Sequence, residues 1–495
     1  MASDFVAISR ILCYDCLMTT YETGNREEAI KVKLTLRECL FGDRDFYRRV
    51  AMVVVPMIVQ NTLSNIVGLL DNVMVGQVGT LPMSAVAIVN QLLFIFYLCI
   101  WGSLAGAGIF STQFFGKGDM DGVRYAIRFK LITAIVILTV AVTILFNFGP
   151  DLISLYISSD TSAADRAATL GYAVSYLNIM LVGLIGFSIT QVYASAMRES
   201  GRTTLPMIAS MVAMLVNFVF NALLIFGLFF FPKMGVMGAA IATVISRFTE
   251  LIIVMIGAHR RGTKYAFFRG LYHDFRIPAN LIWPILSRSF PLLMNEFLWS
   301  LGQATLMQAY SLRGIAVIAA MNISGTITQI FNEVFLSLGN SAGILVGQEL
   351  GANRLVNARR TAWRMAALSV FSTFIMGGLL AIAAPLIPRI YNIEPEIKQL
   401  ATRFILVLSC VMPIHAYANV SYFTLRSGGK TAITFIFDSC FSWAVSVPTA
   451  YVLSRFTNLP AVNVFIIVNL VEIGKDIVGF CLVRSGIWVR NIVKE

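Results

Sequence analysis

Long apolar runs recur along this chain, separated by short polar segments that hold most of the charge. Twelve can be marked, at approximately 50–75, 82–112, 126–148, 168–196, 204–230, 235–257, 280–309, 313–346, 360–388, 397–424, 431–453 and 461–484. A helix needs about 20 apolar residues to cross the hydrocarbon core of a bilayer, and every run is that long. The longest predict tilt, or extension beyond the bilayer. Barrel strands would instead alternate polar and apolar residues over ~10-residue segments. The pattern therefore predicts an all-α membrane protein with twelve transmembrane helices.

Composition agrees. The 495 residues are 57% hydrophobic and 13% charged, against about 25% charged in a soluble domain. So few charges cannot cover a body of this size in water, and lipid must cover much of it. One bilayer-embedded body fits better than a string of soluble domains.

The net charge of +12 raises two readings: nucleic-acid binding, or basic cytoplasmic loops. Placement separates them. Alternate connections are basic: Arg44, Arg48 and Arg49; then Lys117, Arg124, Arg128 and Lys130; then Arg198 and Arg202. Arg260, Arg261, Lys264, Arg269 and Arg276 follow, then Arg354, Arg359, Arg360 and Arg364, then Arg426 and Lys430, and last Arg484, Arg490 and Lys494. The other connections are poor in Lys and Arg: 76–81 has none, and 149–167 has only Arg166 beside Asp151, Asp160 and Asp165. This is the positive-inside pattern, with both termini cytoplasmic and no nucleic acid required. Residues 1–45 lack a basic stretch followed by a clean apolar core, so a cytoplasmic tail is expected rather than a signal peptide. Within it Cys13 and Cys16 form a CxxC with no second pair or nearby His, a weak metal or redox signal. The seven cysteines suggest no disulfide framework, and no metal site is expected.

The chain repeats itself. Gln113-Phe-Phe-Gly116-Lys-Gly-Asp119 resembles Gln348-Glu-Leu-Gly351-Ala-Asn-Arg354, with 348 − 113 = 235. Pro56 and Pro291 share that offset, and Met197-Arg-Glu-Ser-Gly-Arg-Thr203 resembles Leu425-Arg-Ser-Gly-Gly-Lys-Thr431, with 425 − 197 = 228. Six spans is an even number, so both halves start on the cytoplasmic side, and the repeat is parallel about an axis along the membrane normal. The expected organisation is a tail at 1–45, a first lobe at 46–257, a basic linker at 258–279 and a second lobe at 280–495.

Ionisable groups inside spans are costly and mark function by default. Asp71, in Leu70-Asp71-Asn72-Val-Met-Val-Gly76 of span one, leads them. In a low-dielectric site its carboxyl suits exchange of a proton, binding of Na+ or contact with a cationic substrate. The alternative is a cap near the span's end, which Gly76 and Gly79 mark. Asn217 and Asn221 stand at i and i+4 on one face of span five, suited to ion or substrate binding or to plain interhelical hydrogen bonding. Tyr176 and Thr243 are weaker candidates. In the second half Glu296 stands five residues after Pro291, and His415 two after Pro413; His415 is the one intramembrane histidine. Asp438, Glu472 and Asp476 rank below them. Pro56, Pro291 and Pro413 interrupt the helical pattern and are hinge candidates. Gly102-Ser-Leu-Ala-Gly106-Ala-Gly108 suits close helix packing. No HExxH, Walker loop or Cys-His cluster occurs, so no enzyme activity is expected, and active transport would need an ion gradient.

Together these residues resemble the MATE (multidrug and toxic compound extrusion) family over approximately 46–495. Pro56 with Asp71-Asn-Val-Met-Val-Gly76, Gln113 to Gly118, Arg198 to Pro206 with Asn217 and Asn221, Gly238-Ala-Ala-Ile-Ala-Thr243, Leu425-Arg-Ser-Gly-Gly429 and Ser485-Gly-Ile-Trp-Val-Arg-Asn491 carry it. The resemblance implies two six-helix lobes and export of organic cations or amphipathic drugs by H+ or Na+ antiport at the plasma membrane, with no other cofactor. Membrane lipids and a small-molecule substrate are the expected partners, and the chain is expected to work as a monomer. Asp71 matches the family's central span-one carboxylate, and Asn217, Tyr176 and Thr243 fall at matching positions. Asn221 stands where some branches have Asp. In one branch a Glu follows the span-seven proline by eight residues, where this chain has Trp299, with Glu296 one turn earlier. That branch's span-ten Asp aligns with His415, a poor Na+ ligand, which points to H+ coupling or to ion binding in the first lobe alone. The rival readings are a lipid-linked oligosaccharide flippase of similar shape, which would need cationic residues in its cavity, and a membrane receptor or scaffold that moves nothing.

Overall fold

The computed structural model describes residues 36–157, 162–260, 265–391 and 393–493. The Cys13–Cys16 pair lies outside them. Among the described residues there is no strand. After a short helix at Leu36–Leu40, the helices are α1 Arg44–Gly76, α2 Thr80–Lys117, α3 Met120–Ser154, α4 Ala163–Glu199, α5 Thr204–Phe226 and α6 Val236–His259. They continue with α7 Ala279–Ser311, α8 Ile315–Gly351, α9 Leu355–Ala383, α10 Pro395–Ser427, α11 Thr431–Phe456 and a last pair, α12 Ala461–Val471 and α13 Ile473–Ser485. Each apolar run coincides with one helix, the twelfth being broken at Glu472. Among the described residues, ten helices are long and apolar enough to cross a membrane. α7 carries Arg288, Glu296 and two prolines, and the last run is split into two shorter helices.

Why the helices end where they do is readable locally. Gly118 closes α2 in the left-handed region (φ 82°), and Asp119 opens α3 by accepting from the Gly122 amide at 2.8 Å. The repeat reappears in these turns. Gly79 and Gly314 have φ of 145° and 112°, Gly118 and Asn353 have 82° and 59°, and Gly201 and Gly429 have 73° and 76°. Their separations are 314 − 79 = 235, 353 − 118 = 235 and 429 − 201 = 228, the offsets already present in the sequence. Left-handed backbone at matched positions shows that the duplication extends to main-chain conformation. Packing repeats too: α2, α3 and α4 contact one another pairwise, as do α8, α9 and α10 six helices on.

Two compact units emerge from the contacts. One comprises Val55–Thr305 with Thr431–Ser442, and the other Met1–Val54, Leu306–Lys430 and Trp443–Glu495. Within the first, Gly102 and Gly106 bring α2 against α7. A Cβ at Gly106 would stand 2.6 Å from the Ser289 nitrogen, and one at Gly102 would stand 2.9 Å from the Leu293 Cα. Lys130, fully buried in α3, pairs with Glu199 of α4 at 2.5 and 2.6 Å and reaches Ser195 at 3.2 Å. It is an internal strut, not a loop charge. Arg128, 6% exposed, donates to the carbonyls of Leu271, Gly270 and Arg276 at 2.9, 3.0 and 3.1 Å, fastening the connection that follows α6. Within the second unit, Trp488 beyond α13 is fully buried among Val346, Leu350, Leu425 and Val483, and its indole donates to the Val483 carbonyl at 2.9 Å.

The interruption of the helical pattern expected at the prolines is not found. α1, α7 and α10 run through Pro56, Pro291 and Pro413 without a break; each proline removes one ladder hydrogen bond from a continuous helix. The irregular helix is α11, where Ile436–Cys440 and Ser442–Ser446 are wound as π-helix.

Candidate functional site

Three helices of the first unit turn regularly spaced polar residues towards one place. α1 contributes Gln60, Ser64 and Asp71, α5 contributes Ser210, Asn217 and Asn221, and α6 contributes Thr243, Arg247 and Glu250. Steps of three, four or seven residues keep each set on one helix face. A cavity of about 100 Å³ lies among them, lined by Asp71, Asn217, Thr243, Arg247, Glu250 and apolar neighbours including Leu63 and Met214.

Asp71 faces this cavity, half-buried, rather than bulk solvent. Asn221, 1% exposed, donates from Nδ2 to Asp71 Oδ1 and to Asn217 Oδ1, the latter at 3.1 Å. Asn217 in turn donates to Thr243 Oγ1 at 3.3 Å. Asp71, Asn221, Asn217 and Thr243 thus form one hydrogen-bonded series. Asn221 Oδ1 is buried without a hydrogen-bond partner. Leaving such an acceptor empty costs about 1–3 kcal/mol, so it is poised for a donor. Tyr176 is buried behind the lining, within electrostatic reach of Asp71 and Tyr97.

The sequence reading did not single out the other half of the cavity. Glu250, 6% exposed, accepts from Ser210 Oγ at 2.5 Å, and Ser210 accepts from Gln60 Nε2 at 2.8 Å. Arg247 Nη1 stands 3.6 Å from Glu250 Oε2, and its guanidinium lies 5.2 Å from the Phe187 ring centroid. The available signal was an Arg-x-x-Glu pair inside an apolar run. Near the end of that run, such a pair reads as the cytoplasmic boundary, where charge is ordinary.

The second-half candidates are not gathered with these. Glu296 belongs to the same unit as Asp71, but its side chain lies where α7 meets Gly102 of α2. His415 belongs to the other unit, within electrostatic reach of Glu472 and Lys475.

With this geometry in hand, comparison with known proteins is decisive. The MatE family model matches residues 56–223 and again 291–452. The chain belongs to the MatE family. The two matches begin at Pro56 and Pro291, a pair that shares the repeat's offset of 235. The chain is 23% identical over 430 residues to the probable multidrug resistance protein YoeA of Bacillus subtilis, covering 85% of this chain and 89% of that one. It is likewise 23% identical to the probable multidrug resistance protein NorM of Thermotoga maritima, covering 88% and 92%. A solved MATE structure in the bent conformation superposes with a TM-score of 0.80 at 17% identity, covering 89% of this chain and 95% of that chain. An outward-facing multidrug resistance MATE transporter superposes with a TM-score of 0.79 at 19% identity, covering 91% and 97%. The fold is therefore that of the MATE transporters, twelve spans in two lobes, and the chain is a multi-pass MatE-family efflux transporter.

Proposed function

We propose that this MatE-family transporter is a secondary antiporter. It exports cationic or amphipathic toxic compounds across the plasma membrane, coupled to inward movement of H+ or Na+, with Asp71 as the coupling carboxylate. The observation that carries the reading is a carboxylate on a cavity inside a lipid-embedded bundle, hydrogen-bonded to an asparagine whose own carbonyl is unfilled. That arrangement favours a proton as the coupling ion. An ionised Asp71 only accepts, and Asn221 serves it through Nδ2. Once protonated it also has an O–H to donate, and Asn221 Oδ1 lies on the same amide as the existing contact. An acid and an amide then pair through two hydrogen bonds, which alters how α1 and α5 meet. Na+ would instead draw on the oxygens of Asp71, Asn217, Asn221 and Thr243.

A lipid-linked pyrophosphate cargo fits less well. It would call for unneutralised cationic groups, and the arginine lining this cavity already faces Glu250. The test is ethidium efflux from reconstituted vesicles under separately imposed pH and Na+ gradients. A pH gradient alone should drive export, and Asp71→Asn should abolish it while folding is kept. Undiminished gradient-driven export by Asp71→Asn would refute the role assigned to Asp71.

A further inference from the structure

Three formal charges line the cavity: Asp71, Glu250 and Arg247. Glu250 and Arg247 face each other at 3.6 Å, and Glu250 is anchored from behind by Ser210 and Gln60. Asp71 has no ion pair among the described residues; its hydrogen bond comes from the neutral Asn221, and Arg247, in direct contact with Glu250, is also within electrostatic reach of it. The lining therefore carries two negative charges and one positive. Arg198 also feels Glu250, but more strongly Glu199, and it is not part of the lining. Lys130 is taken up by Glu199. Tyr97 and Tyr176, nearby on α2 and α4, bring no formal charge.

Resting on the antiporter reading, we infer that Arg247 is a specificity-determining residue: by occupying Glu250 it leaves the cavity short of a single positive charge, so the cavity selects monovalent over divalent cations. One proton on Asp71 meets that deficit, and so does one singly charged substrate. Each excludes the other, and exchange is one for one. A dication would bring one positive charge too many into a low-dielectric space, where uncompensated charge is costly. Arg247 faces Glu250 directly as an ion pair at 3.6 Å. Its guanidinium also lies over the Phe187 ring and hydrogen-bonds Tyr97, which fixes it beside the cavity.

The experiment compares export of tetraphenylphosphonium, a monocation, with export of methyl viologen, a dication, by purified full-length protein in proton-loaded vesicles. Wild type should prefer the monocation. Arg247→Gln, which leaves two unopposed carboxylates, should shift the preference towards methyl viologen by about tenfold or more. The double variant Arg247→Gln with Glu250→Gln should restore the wild-type preference, because both members of the pair are removed and the deficit of one returns. Loss of packing alone would not be repaired by a second substitution. Glu250→Gln by itself leaves no deficit and should raise the KM for tetraphenylphosphonium about tenfold or more; this arm still decides the matter if Arg247→Gln fails to fold. An unchanged ratio in Arg247→Gln, an unrestored ratio in the double variant, or an unchanged KM in Glu250→Gln overturns the inference while wild-type export stands. A wild-type protein that moves neither probe overturns the antiporter reading, and this inference with it.

Discussion

At the scale of single residues, the helix-spaced polar set was legible in the sequence and its charged companions were not. Asn217 and Asn221 stood four apart, Asp71 sat in an apolar span, and all three converge with Thr243. Glu250 escaped because its significance lies in a partner 40 residues away, Ser210, and in a face of α6 that only tertiary packing turns inward. Asn221→Leu tests the hydrogen-bonded series. Removing the amide deprives Asp71 of its donor and leaves Asn217 Oδ1 without the Asn221 proton. A 1–3 kcal/mol change in the ion-binding step is about 5–150-fold. We expect the pH or Na+ dependence of efflux to move substantially in this variant, with protein levels in the membrane retained. An unaltered dependence would remove Asn221 from the coupling site.

Among the elements, each apolar run became a helix because a backbone in lipid must satisfy its own hydrogen bonds. What the runs concealed was irregularity within helices. The π-helical winding of α11 leaves no trace in the hydrophobic pattern of 431–453, and the prolines promised breaks that the continuous helices do not contain. Small residues were a better guide. Gly106 permits backbone contact between α2 and α7, and any side chain there collides with Ser289. Gly106→Val should therefore destabilise the protein by about 1–3 kcal/mol, read as a lowered unfolding temperature in detergent, whereas Gly68→Val, where no atom lies within 4 Å, should do much less. The Arg128 clamp makes a parallel case. Arg128→Ala removes three hydrogen bonds to the connection after α6, and trypsin should then cleave at Arg269 or Arg276 faster than in wild type. Equal cleavage rates would mean the clamp does not hold that segment.

For the whole molecule, duplication was readable in short motifs, and it recurs in backbone dihedrals and in helix contacts. The composition of the compact units was not readable, since it follows from which helices touch rather than from where linkers fall. Orientation is a whole-molecule property, and the distribution of basic residues predicts it. In a background without native cysteines, Gln77→Cys should react with an impermeant maleimide added outside intact cells. Asp274→Cys should react only after the membrane is opened. Labelling of the reverse kind would invert the assigned topology.

The burial of Trp488 has a practical corollary. The last stretch of chain is a plug: once α13 ends, the backbone turns at Gly486 and seats the indole in a socket already walled by α8, α9 and α10. Emptying a socket of that size costs about 3–5 kcal/mol, a large part of what keeps a domain folded. A stop codon at 486 should therefore leave little protein in the membrane.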